Sequence, residues 1–400
     1  MLQYFYHKIA AYLSVLWKRK DYFMRLNEDQ EMLRQLARDF AAAELAPIAA
    51  ELDRTGHFPL EIISKMAEVG FTALNVPEEF GGAGLDEICK VLVISELAKQ
   101  CASTAEVIAV HTLVNDIFLK HGTQAQKEKY LTAAAEGKIG AFALTEPGAG
   151  SDAAAAKTKA VVDGDDYVIN GTKCFISNMG PEEGDYVVVI ALTDPEKKTR
   201  GMSAIVVDRG TPGFTVGKTE SKMGLRAAAV SELIFEDCRV PRSNLIGAEG
   251  EGFKIAMMAL DGGRVGMAAQ GIGIAEAAIE ASVKYAKERV QFGKPIANLQ
   301  GVQWYLADMA ARTEAAKALV FQAAEALCHG EPATKLASMA KYLASENAVW
   351  VTNKALQIHG GYGYMTDYPI ERMYRDARII PLYEGTSEIQ KNVIARELLR

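Results

Sequence analysis

This chain of 400 residues is poor in cysteine: Cys89, Cys101, Cys174, Cys238 and Cys328 are scattered, no two form a CxxC pair, and no Cys/His spacing suits zinc. That excludes a disulfide scaffold and a structural metal site, and reduced thiols in the cytoplasm are the simplest reading. Basic charge is also short. A net charge of −7 argues against a nucleic-acid binder, which needs a basic stripe. Long apolar runs are missing too. The stretch Ile9 to Trp17 is too short to span a membrane, and no small-residue cleavage site follows it. No stable membrane insertion is expected. There is no internal repeat and no low-complexity tract.

A nucleotide fingerprint is equally absent. A dinucleotide fold needs a strand, then GxGxxG, then a helix. Gly271-Ile272-Gly273 lies inside an Ala-rich helical run, Gly361 and Gly363 follow a helix, and Gly148 and Gly150 are followed by strands. A nicotinamide fold is therefore not expected.

What is present is a change of texture along the chain. Four hundred residues exceed one ordinary core, so two or three domains are expected. From Asn27, a capping residue with Gln30 three positions on, Leu33, Leu36, Ala37 and Phe40 recur at helical spacing until Pro47. Helical runs follow at about 59–69, 86–100, 103–120 and 124–136. Near Ile139 Gly, Asp and β-branched residues take over. Val161-Val162 and Tyr167-Val168-Ile169 flank Gly164-Asp165-Asp166 as a hairpin, and further strands are expected at 173–177, 186–191, 202–207, 214–217 and 232–235. From Gly252 helices return: one from Phe253 to about Val290, then about 298–329, 333–359 and 387–400. The expected organisation is α+β and multidomain: an extension at 1–23, a helical domain at 24–138, a middle antiparallel β domain at 139–248 and a C-terminal four-helix bundle at 249–400.

The most informative stretch is Tyr383-Glu384-Gly385-Thr386-Ser387-Glu388. It puts a carboxylate on an apolar loop, after Ile379, Ile380, Pro381 and Leu382. Ser387 and Gln390 have capping-box spacing for the last helix. A glutamate with little water around it suits a base that must be ionised yet poorly solvated. An exposed loop glutamate is the plainer alternative. Two more blocks weigh against it: Leu144-Thr145-Glu146-Pro147-Gly148-Ala149-Gly150-Ser151-Asp152, and Gln357-Ile358-His359-Gly360-Gly361-Tyr362-Gly363-Tyr364.

Together the three blocks resemble the acyl-CoA dehydrogenase family, in order and without large gaps from about Met24 to Arg400. The resemblance implies FAD-dependent α,β-dehydrogenation of an acyl-CoA to a trans-2-enoyl-CoA, as in β-oxidation. Glu384 would be the base, flavin N5 would take the hydride, and electrons would pass to electron-transferring flavoprotein. It also implies a homotetramer. Phe142, Leu144, Thr145, Gly150 and Ser151 would lie along the flavin, Ser151 also near CoA. Phe175, Ile176 and Ser177 would flank the ring, with Phe in place of the commoner Trp. Arg289, Gln291, Phe292, Gln300, Gln357, Ile358, Gly360 and Gly361 would reach the cofactor's other half, several of them from a neighbouring subunit. Thr386 and Ser387 add contacts at a helix N-terminus. Gly385 would let substrate approach the base, whose own amide would polarise the thioester carbonyl.

Asp261 and Arg264 admit two readings, a structural ion pair or contacts to CoA. Gly263 occupies the place where some relatives carry their base, which strengthens the case for Glu384 and disfavours isovaleryl-type specificity. Overall similarity leans toward short straight chains such as butyryl-CoA, with the pocket floor set around Ile94 to Ala109. No arginine lies between Glu79 and Lys127 to meet a glutaryl carboxylate. Medium- or branched-chain dehydrogenation, enoyl-CoA reduction on the same scaffold, and a non-catalytic DNA-binding relative are the alternatives. The acidic balance opposes the last. His359 is read as a packing residue, and Arg372, Arg375 and Arg378 as salt-bridging. Residues 1–23 are expected to come from a mis-called start codon, or else to form a targeting or membrane-surface helix.

Overall fold

The computed structural model describes residues 26–400, so the extension at 1–23 lies outside the described residues. The first layer is helical: α1 (Glu28–Phe40), α2 (Ala49–Thr55), α3 (Leu60–Glu68), α4 (Glu87–Gln100), α5 (Ala102–His121) and α6 (Gln124–Ala135). Asn27 and Gln30 close a reciprocal capping box, with Gln30 N donating to Asn27 Oδ1 at 2.8 Å and Asn27 N to Gln30 Oε1 at 3.1 Å. Helix α1 runs into a π-type turn, Ala41–Leu45, just before Pro47. Helix α2, which sequence reading did not expect, ends on Gly56 in the left-handed conformation. Helices α4 and α5 are buried almost all round, and this is why neither reads as amphipathic.

The middle of the chain forms one sheet from β1 (Gly140–Ala143), β2 (Lys159–Asp163), β3 (Asp166–Ser177), β4 (Tyr186–Leu192), β5 (Met202–Asp208), β6 (Phe214–Thr219), β7 (Val230–Pro241) and β8 (Leu245–Ile246). Its order is β6-β7-β3-β2-β4-β5-β8, with β1 also paired to β4. The sheet is largely antiparallel, but β1 runs parallel to β4 from Gly140↔Tyr186 to Ala143↔Val189. The expected hairpin is there, Asp163↔Asp166 closing on Gly164-Asp165. Two segments expected as separate strands, around 167–169 and 173–177, are one strand, β3. Register shifts at Ile169/Gly171 and Lys173/Ile176 interrupt it.

The bundle consists of α7 (Gly252–Glu288), α8 (Gln300–Cys328), α9 (Thr334–His359), α10 (Ile370–Ala377) and α11 (Ser387–Leu398). A small hairpin, β9 (Val290–Gln291) with β10 (Lys294–Pro295), caps the end of α7. Glycines let α7 approach its neighbours closely. A Cβ on Gly273 would lie 2.2 Å from the Ser95 carbonyl oxygen, and one on Gly271 would lie 3.2 Å from that of Ala344. The Gly-x-Gly there serves helix packing rather than a phosphate. Among the described residues no helix is long and apolar enough to cross a membrane.

Candidate active site

Glu384 sits in the loop between α10 and α11 with φ 49°, a left-handed backbone that a non-glycine residue seldom adopts, and Gly385 follows with φ 93°. A Cβ at Gly385 would meet Gln390 Nε2 at 2.6 Å, so glycine is needed for space as well as for conformation. Three hydrogen bonds from two donors hold this bend. Lys341 Nζ donates to the Gly385 carbonyl at 2.7 Å, and Gln390 Nε2 donates to the carbonyls of Glu384 at 3.1 Å and Gly385 at 2.9 Å. The N-cap of α11 is Thr386, whose hydroxyl accepts from Ile389 N, and not Ser387 as the spacing predicts. Ser387 is buried and donates to Glu346 Oε1, while Gln390 is occupied by the bend and so closes no capping box.

The residue as a whole is half-buried, but its Oε2 is shielded from water and has no hydrogen-bond partner. It lies against α7, where a Cβ on Gly263 would fall 2.5 Å from it and 2.6 Å from Leu113 Cδ1. A larger residue there would force the Glu384 carboxylate or the Leu113 side chain to move. Burial raises the Glu384 pKa from the usual carboxylate range to about 7. The cations Lys341 and Arg264 pull it down, and Glu106 adds to the rise. Lys341 is fully buried on α9, and its pKa falls to about 8 through burial, against the pull of Glu384. Arg264 is buried, bonds Asp261 Oδ1 at 2.7 Å, and keeps Nε without a partner. Thr334 Oγ1 donates to the other Asp261 oxygen at 2.6 Å. The ion pair is thus present, and the Arg264 charge also lowers the Glu384 pKa.

The two segments expected to lie along a flavin meet. Cys174 N donates to the Thr145 carbonyl at 3.0 Å, joining the loop after β1 to β3. Glu146 clamps that loop: Lys173 Nζ bonds it at 2.8 Å, and the amides of Lys157 and Thr158 at 2.6 and 2.9 Å. Phe175 stands at the β3 bulge with φ 57° and is 67% exposed, an unusual display for a phenylalanine. Gly148 and Gly150 open onto free space and Ser151 is exposed. Phe142 is half-buried, whereas Leu144 and Ile176 are buried, leaving mainly backbone for a ligand. Ser177 Oγ donates to Glu106 Oε1 at 2.7 Å, which ties this face to the Glu384 interior.

A second group gathers at the other end of α7. Arg289 stacks its guanidinium over Tyr362 at 5.2 Å, beside the exposed Gln291, Gln300, Gln357, Gly360 and Gly361. Phe292 is 89% exposed with φ 53° at the turn of the β9–β10 hairpin. Ile358 points into the core, and His359 stacks on Tyr285 at 4.2 Å, a packing role. From Gly263 to Arg289 runs about 39 Å of helix at 1.5 Å per residue. One chain therefore does not bring this group to Glu384.

Residues 27–138 match the acyl-CoA dehydrogenase N-terminal domain, 141–238 its middle domain and 250–399 its C-terminal domain. The chain belongs to the acyl-CoA dehydrogenase family. This dehydrogenase-family chain is 58% identical over 386 residues to an acryloyl-CoA reductase (NADH) of Anaerotignum propionicum, covering 96% of this chain and 97% of the relative. Among solved structures it is similar to butyryl-CoA dehydrogenase from Megasphaera elsdenii, with TM-score 0.92, 45% identity, and 94% and 100% of the two chains covered. It is also similar to a chain in a structure described as electron transferring flavoprotein of Acidaminococcus fermentans, with TM-score 0.93, 48% identity, and 95% and 100% covered. Members of the family are flavoprotein oxidoreductases acting on acyl-CoA.

Lys341, Gln390, Glu146 and Glu106 are the site residues that sequence reading missed. Apart from Gln390, which bonds the nearby Glu384 and Gly385 carbonyls, each is a lone polar residue with a partner distant in sequence. The one signal was a lysine in the Ala-rich run of α9.

Proposed function

We propose that this chain desaturates short-chain acyl-CoA thioesters, with Glu384 removing the α-proton and FAD as cofactor. The observation that carries this is the Glu384 carboxyl itself. Its Oε2 is shielded from water with no hydrogen-bond partner, and burial raises the group to about 7, so it can both hold and release a proton near neutral pH. An ordinary exposed carboxylate, near 4.3, would be a far weaker base.

The residues present fit a flavin. The loop at 142–151 and the bulge at 175–177 form one face, with open space at Gly148 and Gly150 and an outward-facing aromatic ring. When bound, the flavin supplies the two-electron acceptor for the β-hydride. Thr145, Ser151, Phe175 and Ser177 would hold the ring on that face. Lys341 and Gln390 keep the Glu384–Gly385 bend fixed, so the carboxyl is aimed before substrate arrives. Arg264 and Lys341 favour the carboxylate form that accepts the α-proton, which then stays on Glu384 until product leaves.

The distant group at Arg289, Gln291, Phe292, Gln300 and Gln357 to Gly361 would complete the cofactor site of a neighbouring subunit, in a homotetramer. The structural likeness that names an electron transferring flavoprotein supports such a partner as electron acceptor. The butyryl-CoA dehydrogenase likeness supports a short acyl chain. The relative named acryloyl-CoA reductase favours a second reading, in which the same site runs in reverse and protonated Glu384 delivers its proton to the α-carbon.

Anaerobic titration of the purified yellow protein with propionyl-, butyryl- and octanoyl-CoA tests this reading. Bleaching by the short thioesters is expected. Failure of every thioester to bleach the flavin, together with failure of the dithionite-reduced enzyme to be reoxidised by acryloyl- or crotonyl-CoA, would overturn it.

A further inference from the structure

A second buried carboxyl shares the interior with Glu384. Glu106, on α5, is 2% exposed. Its Oε1 accepts from Ser177 Oγ at 2.7 Å, while its Oε2 is shielded from water and has no partner. Ala109 and Leu113 lie on the same face of α5, at helical spacings of three and seven. That face looks onto α7. A Cβ on Gly266 would sit 3.6 Å from Ala109 Cβ and 3.6 Å from Ile94 Cδ1, and one on Gly263 would touch Leu113 and the Glu384 carboxylate. One surface therefore runs from Glu384 past Leu113 and Ala109 to Glu106. The charged and titratable groups that act there are Lys222, whose Nζ donates to the Ala228 carbonyl at 2.7 Å, with Tyr383 and Glu384.

A carboxyl oxygen with no partner inside an apolar wall is costly, and more so when charged. It is tolerated where a ligand or a water satisfies it. A short acyl chain beside Glu384 would stop before Glu106, whereas a long alkyl chain would press methylenes on its unpaired carboxyl oxygen.

We propose that Glu106 is a specificity-determining residue of this site, restricting it to short acyl chains by putting a polar carboxyl at the far end of the surface it shares with Glu384. The proposal rests on the acyl-CoA reading of the site. Its test is made with the flavin-loaded protein in a Glu384→Gln background, where proton abstraction is off and binding is read alone. The ratio of dissociation constants for octanoyl-CoA and butyryl-CoA is measured by calorimetry. Glu106→Leu is expected to shift that ratio by about tenfold in favour of octanoyl-CoA, while Glu106→Gln, which keeps a polar end, holds it within about twofold. Should the leucine variant fail to fold, the smaller Glu106→Val carries the same comparison. A ratio unchanged in the apolar variant overturns the proposal. A wild-type enzyme that no thioester bleaches overturns the dehydrogenase reading instead, so the two failures are separable.

Discussion

At the scale of single residues, the account rests on how a carboxyl is kept dry and how its charge is adjusted. Burial lifts Glu384 to about 7, and Lys341 and Arg264 restrain that rise. Dehydrogenation needs the ionised form, so kcat/KM is expected to climb as pH rises through about 7. Replacing Lys341 with Met removes a cation that lowers the Glu384 pKa. The midpoint should then move above 7, and the rate at pH 7 should fall, which a pH profile of flavin bleaching reads directly. In the reductive direction the sign inverts, because Glu384 must then be protonated. Gly263 makes a steric claim of the same size. Gly263→Ala places a methyl group 2.5 Å from Glu384 Oε2. The carboxylate must shift, and a loss of about a hundredfold in the bleaching rate is expected with flavin content unchanged.

At the scale of elements, a sequence reader sees helix starts better than helix neighbours. Asn27 with Gln30 announces α1 because the capping box is local chemistry. The same rule misplaces the start of α11, because Gln390 spends its amide on the Glu384–Gly385 bend and leaves the cap to Thr386. Helix α10 escaped notice because it is held by distant partners. Arg375 bonds Asp53 and Glu371, and Asp376 accepts from Leu225 N at 2.7 Å. Strand β1 is four residues long, too short to show alternation, and only its parallel register with β4 defines it. Lys173 and Glu146 show the energetic side of such hidden pairing, since Lys173 is fully buried. Breaking the pair with Lys173→Met leaves Glu146 uncompensated and is expected to cost about 3–5 kcal/mol of stability by denaturant titration. The flavin-side loop should loosen with it.

At the scale of the whole molecule, the three-layer order was legible because composition changes sharply near Ile139 and again near Gly252. The way α5 faces α7 beside Glu384 was not, since it depends on packing between distant segments. Nor does one chain bring the Arg289 and Gln357 group to Glu384, with about 39 Å of helix separating them. If a neighbouring subunit supplies that group, Phe292→Asp should reduce both flavin content and tetramer population in sedimentation. Glu384→Gln should alter neither. Equal flavin content in a monomeric Phe292→Asp protein would contradict the shared site.

The most direct test of the central claim is the anaerobic single-turnover rate of flavin bleaching by butyryl-CoA, compared between the parent chain and Glu384→Gln across pH 6 to 8. The account predicts a parent rate that rises with pH around 7, and a variant that binds flavin normally yet bleaches about 10²–10⁴-fold more slowly with no such rise. A glutamine variant that keeps the parent rate and its pH dependence would contradict it.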